Sequence, residues 1–425
     1  MQLAAGAGTP AAGHVGVVLV LDTGKGFVTA DAARLLGVRI RGVPRLRQRL
    51  SGGPRPYWAD DPGFDLGGHV REVRCPPPGD ERALLDLAAA ELEKPLPRSR
   101  PLWSAVFVTG LAHGGTGLVI VVDHVLADGV AGLAVLAALL DPAYPAPARA
   151  TDRGQRDIDL TRRGHGAIDL THGAGRGGIR QGLAELGGVR PPRRLARSSL
   201  NRPTGPRRRL DVVTADLAAV RAFAHAHGGT VNDVVVASVA GALRDLLASR
   251  GEPLDRVTIS VPVSARQAAD TGVLGNKVGV MPVSVPGDGT LGARVSAVAA
   301  ITRTRKSRAR GASASLLVPV FLLLARAGLL RWFVNRQRLV HTFVTNLRGP
   351  RQPLAFGGAP VRTVIPIPST TGNVTVTFGA LSYAGALRVT VLSDPVQVPD
   401  VALLTAALRT ALDAIPAPQA PIPLS

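Results

Sequence analysis

Apolar positions along this chain follow two periods, and the switches between them mark its elements. HVGVVLVLD (14–22) carries the short apolar run of a buried strand, and LWSAVFVTGL (102–111) and GLVIVVDH (117–124) predict paired strands around the turn AHGGT. Helical spacing covers most of TADAARLLGVRIRGVPRLRQRL (29–50). It also covers DERALLDLAAAELEKPL (80–96), which stops at a proline, and GVAGLAVLAALL (129–140). Helices and strands mixed in this order predict an α/β sandwich.

The pattern stops at Asp141. From there to about Arg209 the chain is rich in Pro, Gly and Arg, and IDLT occurs at 158 and again at 168. This composition predicts a crossover linker, partly disordered. Periodicity resumes with LDVVTADLAAVRAFAHAHGG (210–229) and with TVNDVVVASVAGALRDLLASRG (230–251), a helix for which Thr230 or Asn232 is the candidate cap and Gly251 the stop. Strands are expected at RVTISVPVS (256–264) and VGVMPVSVP (278–286), helical structure over 289–340, more strands at HTFVTNLRGP and VTVTFGALSYAGALRVTVLSD, and a last helix in VPDVALLTAALRTALDAI. The expected division is a first lobe over 1–148, a linker over 149–209 and a second lobe of the same class over 210–425. A chain of 425 residues suits two cores better than one.

Charge alters this picture less than its size suggests. The formal charge is +20, but only four of the 50 basic residues are lysines, and the densest basic runs (193–197, 207–209) lie among Pro, Ser and Gly, with no interleaved aromatics. A solvated linker accounts for them better than a nucleic-acid arm, so no specific nucleic-acid partner is expected. An anionic membrane surface or an anionic ligand such as a CoA ester stays open. The one cysteine, Cys75, permits no intramolecular disulfide and fits a reduced intracellular protein. No signal peptide is legible at the start, and no run reaches the length of a spanning helix. LLVPVFLLLARAGLLRWFV (316–334) comes nearest, interrupted by Pro319, Arg326 and Arg331. It reads as a buried helix or as an amphipathic one lying on a bilayer.

Chemistry concentrates in VVDHVLADG (121–129). Alternation puts Leu118, Ile120, Val122 and His124 on one face of a strand and Asp123 on the other. Asp128 and Gly129 follow at the spacing of an HxxxDG motif, Asp128 being either a helix cap or a charge partner and Gly129 a turn residue. Other chemistries fare poorly. There is no GxSxG elbow, and Cys75 has no motif around it. His225 and His227 diverge on a helix, so no metal site is expected, and GAGRGG (173–178) lies in the linker with no strand before it.

HVLADG resembles the active-site motif of the CoA-dependent acyltransferase superfamily. WADDPGFDLGGHVR (58–71), PLPRSRPLW (95–103), SLNRPTGPRRR (199–209), GGTVNDVVVASVAGALR (228–244), VPVSAR (261–266), LGNKVGVMPV (274–283) and VTNLRGPRQPLAFGGAPV (344–361) resemble, in order, the bacterial wax ester synthase/diacylglycerol acyltransferase family. The resemblance spans about residues 14–415. It implies two chloramphenicol-acetyltransferase-like lobes forming a pseudo-dimer around an active-site tunnel. It also implies an acyl-CoA-dependent O-acyltransferase that makes triacylglycerol from diacylglycerol, or a wax ester from a fatty alcohol. Acyl-CoA is then a co-substrate and no other cofactor is expected. The implied place is the cytoplasm, peripheral to the inner membrane or at a lipid-droplet surface.

By the same resemblance His124 is the general base, and Asp128 holds the motif turn through an arginine, Arg47 first and Arg266 second. Asn232 of VND and Asn276 of GNK are candidate substrate-lining residues, with a helix cap and a turn residue as their ordinary alternatives. The family motif usually has two adjacent histidines. Here Asp123 replaces the first, which leaves a degenerate homologue that binds acyl chains or a partner without turnover as the competing expectation.

Overall fold

The computed structural model describes residues 13–24, 26–52, 56–126, 129–141, 195–264, 278–308, 327–350 and 352–417. The first part of the chain forms β1 (His14–Leu21), α1 (Thr29–Ile40), a 3-10 turn (Pro44–Arg47), β2 (Gln48–Ser51), β3 (Tyr57–Asp60), β4 (Val70–Arg74), α2 (Glu81–Glu93), β5 (Trp103–Thr109), β6 (Thr116–Asp123) and α3 (Gly129–Leu139). The second forms β7 (Arg209–Asp216), α4 (Leu217–Ala226), α5 (Val231–Ser249), β8 (Arg256–Ser264), β9 (Val278–Pro286), α6 (Leu291–Arg308) and α7 (Leu330–Val334). It continues through β10 (Thr342–Arg348), β11 (Ala355–Phe356), β12 (Ala359–Ile367), β13 (Val376–Tyr383), β14 (Ala386–Ser393) and α8 (Val401–Asp413).

Two six-stranded sheets organise these elements, in the orders β11-β12-β1-β6-β5-β4 and β7-β14-β13-β10-β8-β9. Each has a helix layer against it, giving two α/β sandwich lobes. β7, at the edge of the second sheet, begins at Arg209, and the first sheet takes strands from both halves of the chain. β12 leaves the second half of the chain and pairs antiparallel with β1, from Gly16↔Ile367 to Leu21↔Val361. Unpaired β1 would leave one side of the first sheet as an open edge, and β12 satisfies those backbone groups.

The cores follow from strand alternation. On β6, Leu118 and Ile120 enter one cluster with α1, α3 and Trp103, while Val119 and Val121 enter another with α2. That second cluster also holds Leu210, Ile365 and Leu392, so α2 is buried between the first sheet and β7 and forms the seam between lobes. The remaining cluster packs α4, α5 and α8 on the second sheet. Local signals fix the helix ends. Asp80 caps α2 by accepting the Ala83 amide at 2.9 Å. At the start of α5, Thr230 and not Asn232 is the cap: its hydroxyl accepts the Asp233 amide, while Asp233 Oδ2 accepts the Thr230 amide at 2.9 Å, a reciprocal capping box. Gly251, at φ +70°, closes that helix in the left-handed region.

The helix expected over residues 29–50 ends at Ile40. Pro44 has no N–H with which to continue it, and Leu46 gives its carbonyl to the Trp103 indole at 2.7 Å. Residues 48–51 then pair with 57–60 as a small hairpin. Residues 149–194 of the expected linker and residues 316–326 of the apolar 316–334 run lie outside the described residues. The rest of that run includes the short helix α7, on which Trp332 is 56% exposed beside Leu329 at 50%. Among the described residues no helix is long and apolar enough to cross a membrane.

Candidate active site

β6 ends at Asp123, and the chain turns over residues 124–126 before α3 begins. Three backbone bonds hold that turn. The His124 amide donates to Gly13 O at 2.8 Å, the Asp123 amide to Leu102 O at 3.0 Å, and the Leu126 amide to Asp123 O at 2.9 Å. Leu126 is buried in the core beneath α3, which pulls the turn down and leaves His124 half-buried at the end of the strand.

The sequence departure at Asp123 acquires a role here. Its Oδ1 accepts the Val125 amide at 2.9 Å, so the carboxylate spans the histidine and satisfies a donor that the turn would otherwise strand. Across the ladder Asp123 faces His14. His14 is buried and does not supply a second reactive imidazole to the turn: its Nδ1 bonds the Leu92 carbonyl at the end of α2, at 2.9 Å.

Of the other candidates, Asp128, Arg266 and Asn276 lie outside the described residues. Gly129 is taken up as the first residue of α3. Asn232 is the second residue of α5, half-buried. Arg47 makes no ion pair with a carboxylate among the described residues, and its Nε is shielded from solvent with no hydrogen-bond partner. Among the described residues no group of three His, Cys, Asp or Glu side chains is placed to hold a metal ion. His225 is exposed, and the His227 ring turns back to the Phe223 carbonyl at 2.9 Å.

Sequence reading missed the buttress beside the turn. Trp103 registers opposite Val122, and its ring stacks on His69 at 4.5 Å between centroids; His69 in turn stacks on Phe64 at 5.4 Å. His69 Nδ1 bonds the Trp103 carbonyl at 2.8 Å, and burial pushes its pKa down, so the neutral ring packs as an aromatic spacer. The PLW tripeptide was the available signal, since a tryptophan opening a strand next to the motif strand must place a large side chain against it.

Residues 7–235 match the wax ester synthase/diacylglycerol acyltransferase catalytic domain, and residues 274–416 match the WS/DGAT C-terminal domain. A putative diacylglycerol O-acyltransferase of Mycobacterium bovis is 30% identical over 413 residues, covering 89% of this chain and 86% of its own. A probable diacylglycerol O-acyltransferase of Mycobacterium tuberculosis gives the same figures. Among solved structures, the wax ester synthase/diacylglycerol acyltransferase from Marinobacter aquaeolei VT8 superposes with a TM-score of 0.70 at 24% identity, over 97% of this chain and 96% of that one. The first condensation domain of the calcium-dependent antibiotic synthetase follows the same fold, with a TM-score of 0.62 at 19% identity over 95% and 90% of the two chains.

Proposed function

Because the chain belongs to the wax ester synthase/diacylglycerol acyltransferase family, we propose that it transfers an acyl group from acyl-CoA to a lipid alcohol. Diacylglycerol is the proposed acceptor, giving triacylglycerol, with a fatty alcohol giving a wax ester as the alternative substrate. The observation that carries this reading is the placement of His124: half-buried at the end of β6, on a turn pinned to Gly13 and stiffened by Asp123.

The proposed step needs only this imidazole. The neutral ring accepts the proton of the alcohol while the alcohol oxygen attacks the thioester carbonyl. Collapse of the tetrahedral adduct breaks the C–S bond, and the imidazolium returns its proton to the CoA thiolate, so the ring ends the cycle neutral. Asp128 is assigned the holding of the motif turn. The alcohol is apolar, which fits a protein that works at a lipid surface. The exposed Trp332 and Leu329, with Arg331 and Arg336 on the same short segment, support peripheral contact with a cytoplasmic membrane face or lipid droplet.

The test is release of CoA from palmitoyl-CoA by the purified chain, with diacylglycerol or hexadecanol as acceptor, in wild type and His124→Ala. Acceptor-dependent release that the variant loses supports the assignment. The competing reading, a binder without turnover, draws on Asp123 standing where the family usually has histidine. It expects no release from either protein and equal acyl-CoA binding by both.

A further inference from the structure

α3 carries the motif turn into the core, yet its sequence, GVAGLAVLAAL, includes no polar side chain. Leu136, Leu139 and Leu140 at its end are buried in one cluster with α1 and Phe356. Such packing excludes water but is non-directional, so it does not by itself fix where the helix stands along its axis. Directional bonds gather just past the helix, on Asp141. Its Oδ1 accepts the Arg39 guanidinium and the Gly357 amide, the latter at 3.0 Å. Its Oδ2 accepts the Gly358 amide at 2.8 Å, and its own amide donates to Ala355 O at 2.8 Å. Arg39 completes the cluster: Nη1 donates to the Leu139 carbonyl at 2.8 Å, and the guanidinium lies over the Phe356 ring, 5.2 Å from its centre.

A carboxylate at this place is opposed locally, because the C-terminal end of a helix carries partial negative charge and favours a cation. Burial opposes the charge of Asp141 as well, but the Gly358 amide, Arg39 and the Gly357 amide outweigh it and hold the carboxyl below its ordinary value. Two of these donors come from the other half of the chain. Gly357 and Gly358, at φ +59° and +78°, form the two-residue turn between β11 and β12, and both aim their N–H at this one carboxylate. The clamp therefore ties the end of α3 to α1 and to the strand pair that completes the first sheet.

The turn that holds His124 is thus fixed from two sides. On the strand side, the His124 and Asp123 amides bond Gly13 and Leu102. On the helix side, the chain runs into α3 and the clamp at its far end. A helix of this length spans about 16 Å and is held by its own hydrogen-bond ladder, so a slip at Asp141 is felt at Gly129 and in the turn before it. Resting on the proposed acyl transfer at His124, we infer that Asp141 is a positioning residue of that reaction: through α3 it sets the place of the motif turn, and so of the imidazole, against the thioester carbonyl.

Steady-state CoA release from palmitoyl-CoA, with diacylglycerol or hexadecanol as acceptor and at a temperature where every protein compared is folded, tests this. Asp141→Ala lowers kcat about 10- to 100-fold, the cost of a misplaced reacting group, and leaves KM for palmitoyl-CoA near wild type. Asp141→Asn keeps an oxygen for Arg39 and Gly357 and recovers most of kcat. Arg39→Gln, which leaves the two glycine amides their carboxylate, lowers kcat to a lesser degree and guards against an alanine variant that misfolds. Asp400→Ala, which breaks the ion pair with Arg250 in the second lobe, is the stability control: it lowers the urea midpoint and leaves kcat unchanged. Wild-type kcat in Asp141→Ala, however far its urea midpoint falls, assigns the clamp to stability alone and overturns the inference. A loss carried by KM, or an equal loss of kcat in Asp400→Ala, overturns it too. In each of those cases His124→Ala still loses turnover, and the acyl-transfer reading stands. A wild type without acceptor-dependent release, or one that His124→Ala leaves unchanged, removes the reading and the inference together.

Discussion

Asp123 and Val125 are joined across the histidine between them, carboxylate oxygen to amide nitrogen at 2.9 Å. A short polar side chain at the strand end thus does what a backbone carbonyl does in a regular turn. Asp123→Ala leaves the Val125 amide without its acceptor, at an expected cost of about 1–2 kcal/mol, and loosens the residue on which the proposed chemistry depends. Asp123→Asn keeps an acceptor oxygen and recovers most of the loss. Urea denaturation and CoA release, run on both variants, check this: an alanine variant with wild-type turnover would separate Asp123 from the turn.

His124→Ala removes the proposed base from a half-buried position. Turnover should fall by about 10²- to 10⁴-fold, while stability shifts by less than about 1 kcal/mol. A large drop in the urea midpoint would instead make His124 a packing residue.

His341 gives the fold a pH dependence of its own. It is buried, its Nδ1 accepts the Thr258 amide at 2.9 Å, its Nε2 has no partner, and burial lowers its pKa to about 4. An unfolded histidine titrates near 6.5. As pH falls from 6.5 toward 4 the unfolded chain takes up the proton first, so stability is lost across that window, by up to about 3 kcal/mol, and levels off below it. His341→Gln, which can still accept from Thr258, should flatten the stability profile between those limits; an unchanged profile would assign the acid sensitivity to other groups.

Asp233 is 3% exposed and accepts from the Thr230 amide, the Thr230 hydroxyl and the Thr302 hydroxyl. Asp233→Ala removes the reciprocal half of the capping box and the hydrogen bond that ties α5 to Thr302 of α6, with an expected cost of about 2–3 kcal/mol. Thr230→Ala should cost about 1 kcal/mol. Thermal denaturation ranks the two, and equal costs would mean that the Thr302 bond adds nothing.

The regular elements were legible because each announces itself locally. The six buried residues from Thr116 to Val121, the proline after α2 and the Thr230–Asp233 box all encode their structure within a few positions. The hairpin at 48–60 was not, because Val43, Leu46 and Leu50 keep helical spacing while Pro44 and the distant Trp103 decide the outcome. The place of β12 was illegible for a related reason: APVRTVIPI states that it is a strand but not which sheet it joins. At the candidate site, alternation separated Leu118 and Ile120 from Val119 and Val121 across the sheet, whereas the use of Asp123 depends on the direction of an amide two residues away, which no residue pattern records.

The pairing of β1 with β12 also sets an order of events at the ribosome. β1, β5 and β6 emerge early, yet the strand that completes their sheet ends at Ile367. At about 5–20 residues per second, the stretch from Asp123 to Ile367 takes roughly ten to fifty seconds to synthesise. Throughout that interval the nascent first sheet presents a bare edge of His14–Leu21, apolar and ready to pair with any passing strand. The second half of the chain is therefore the intramolecular chaperone of the first, and a nascent chain stalled before residue 359 leaves the segment around the candidate base attached to an open, aggregation-prone edge.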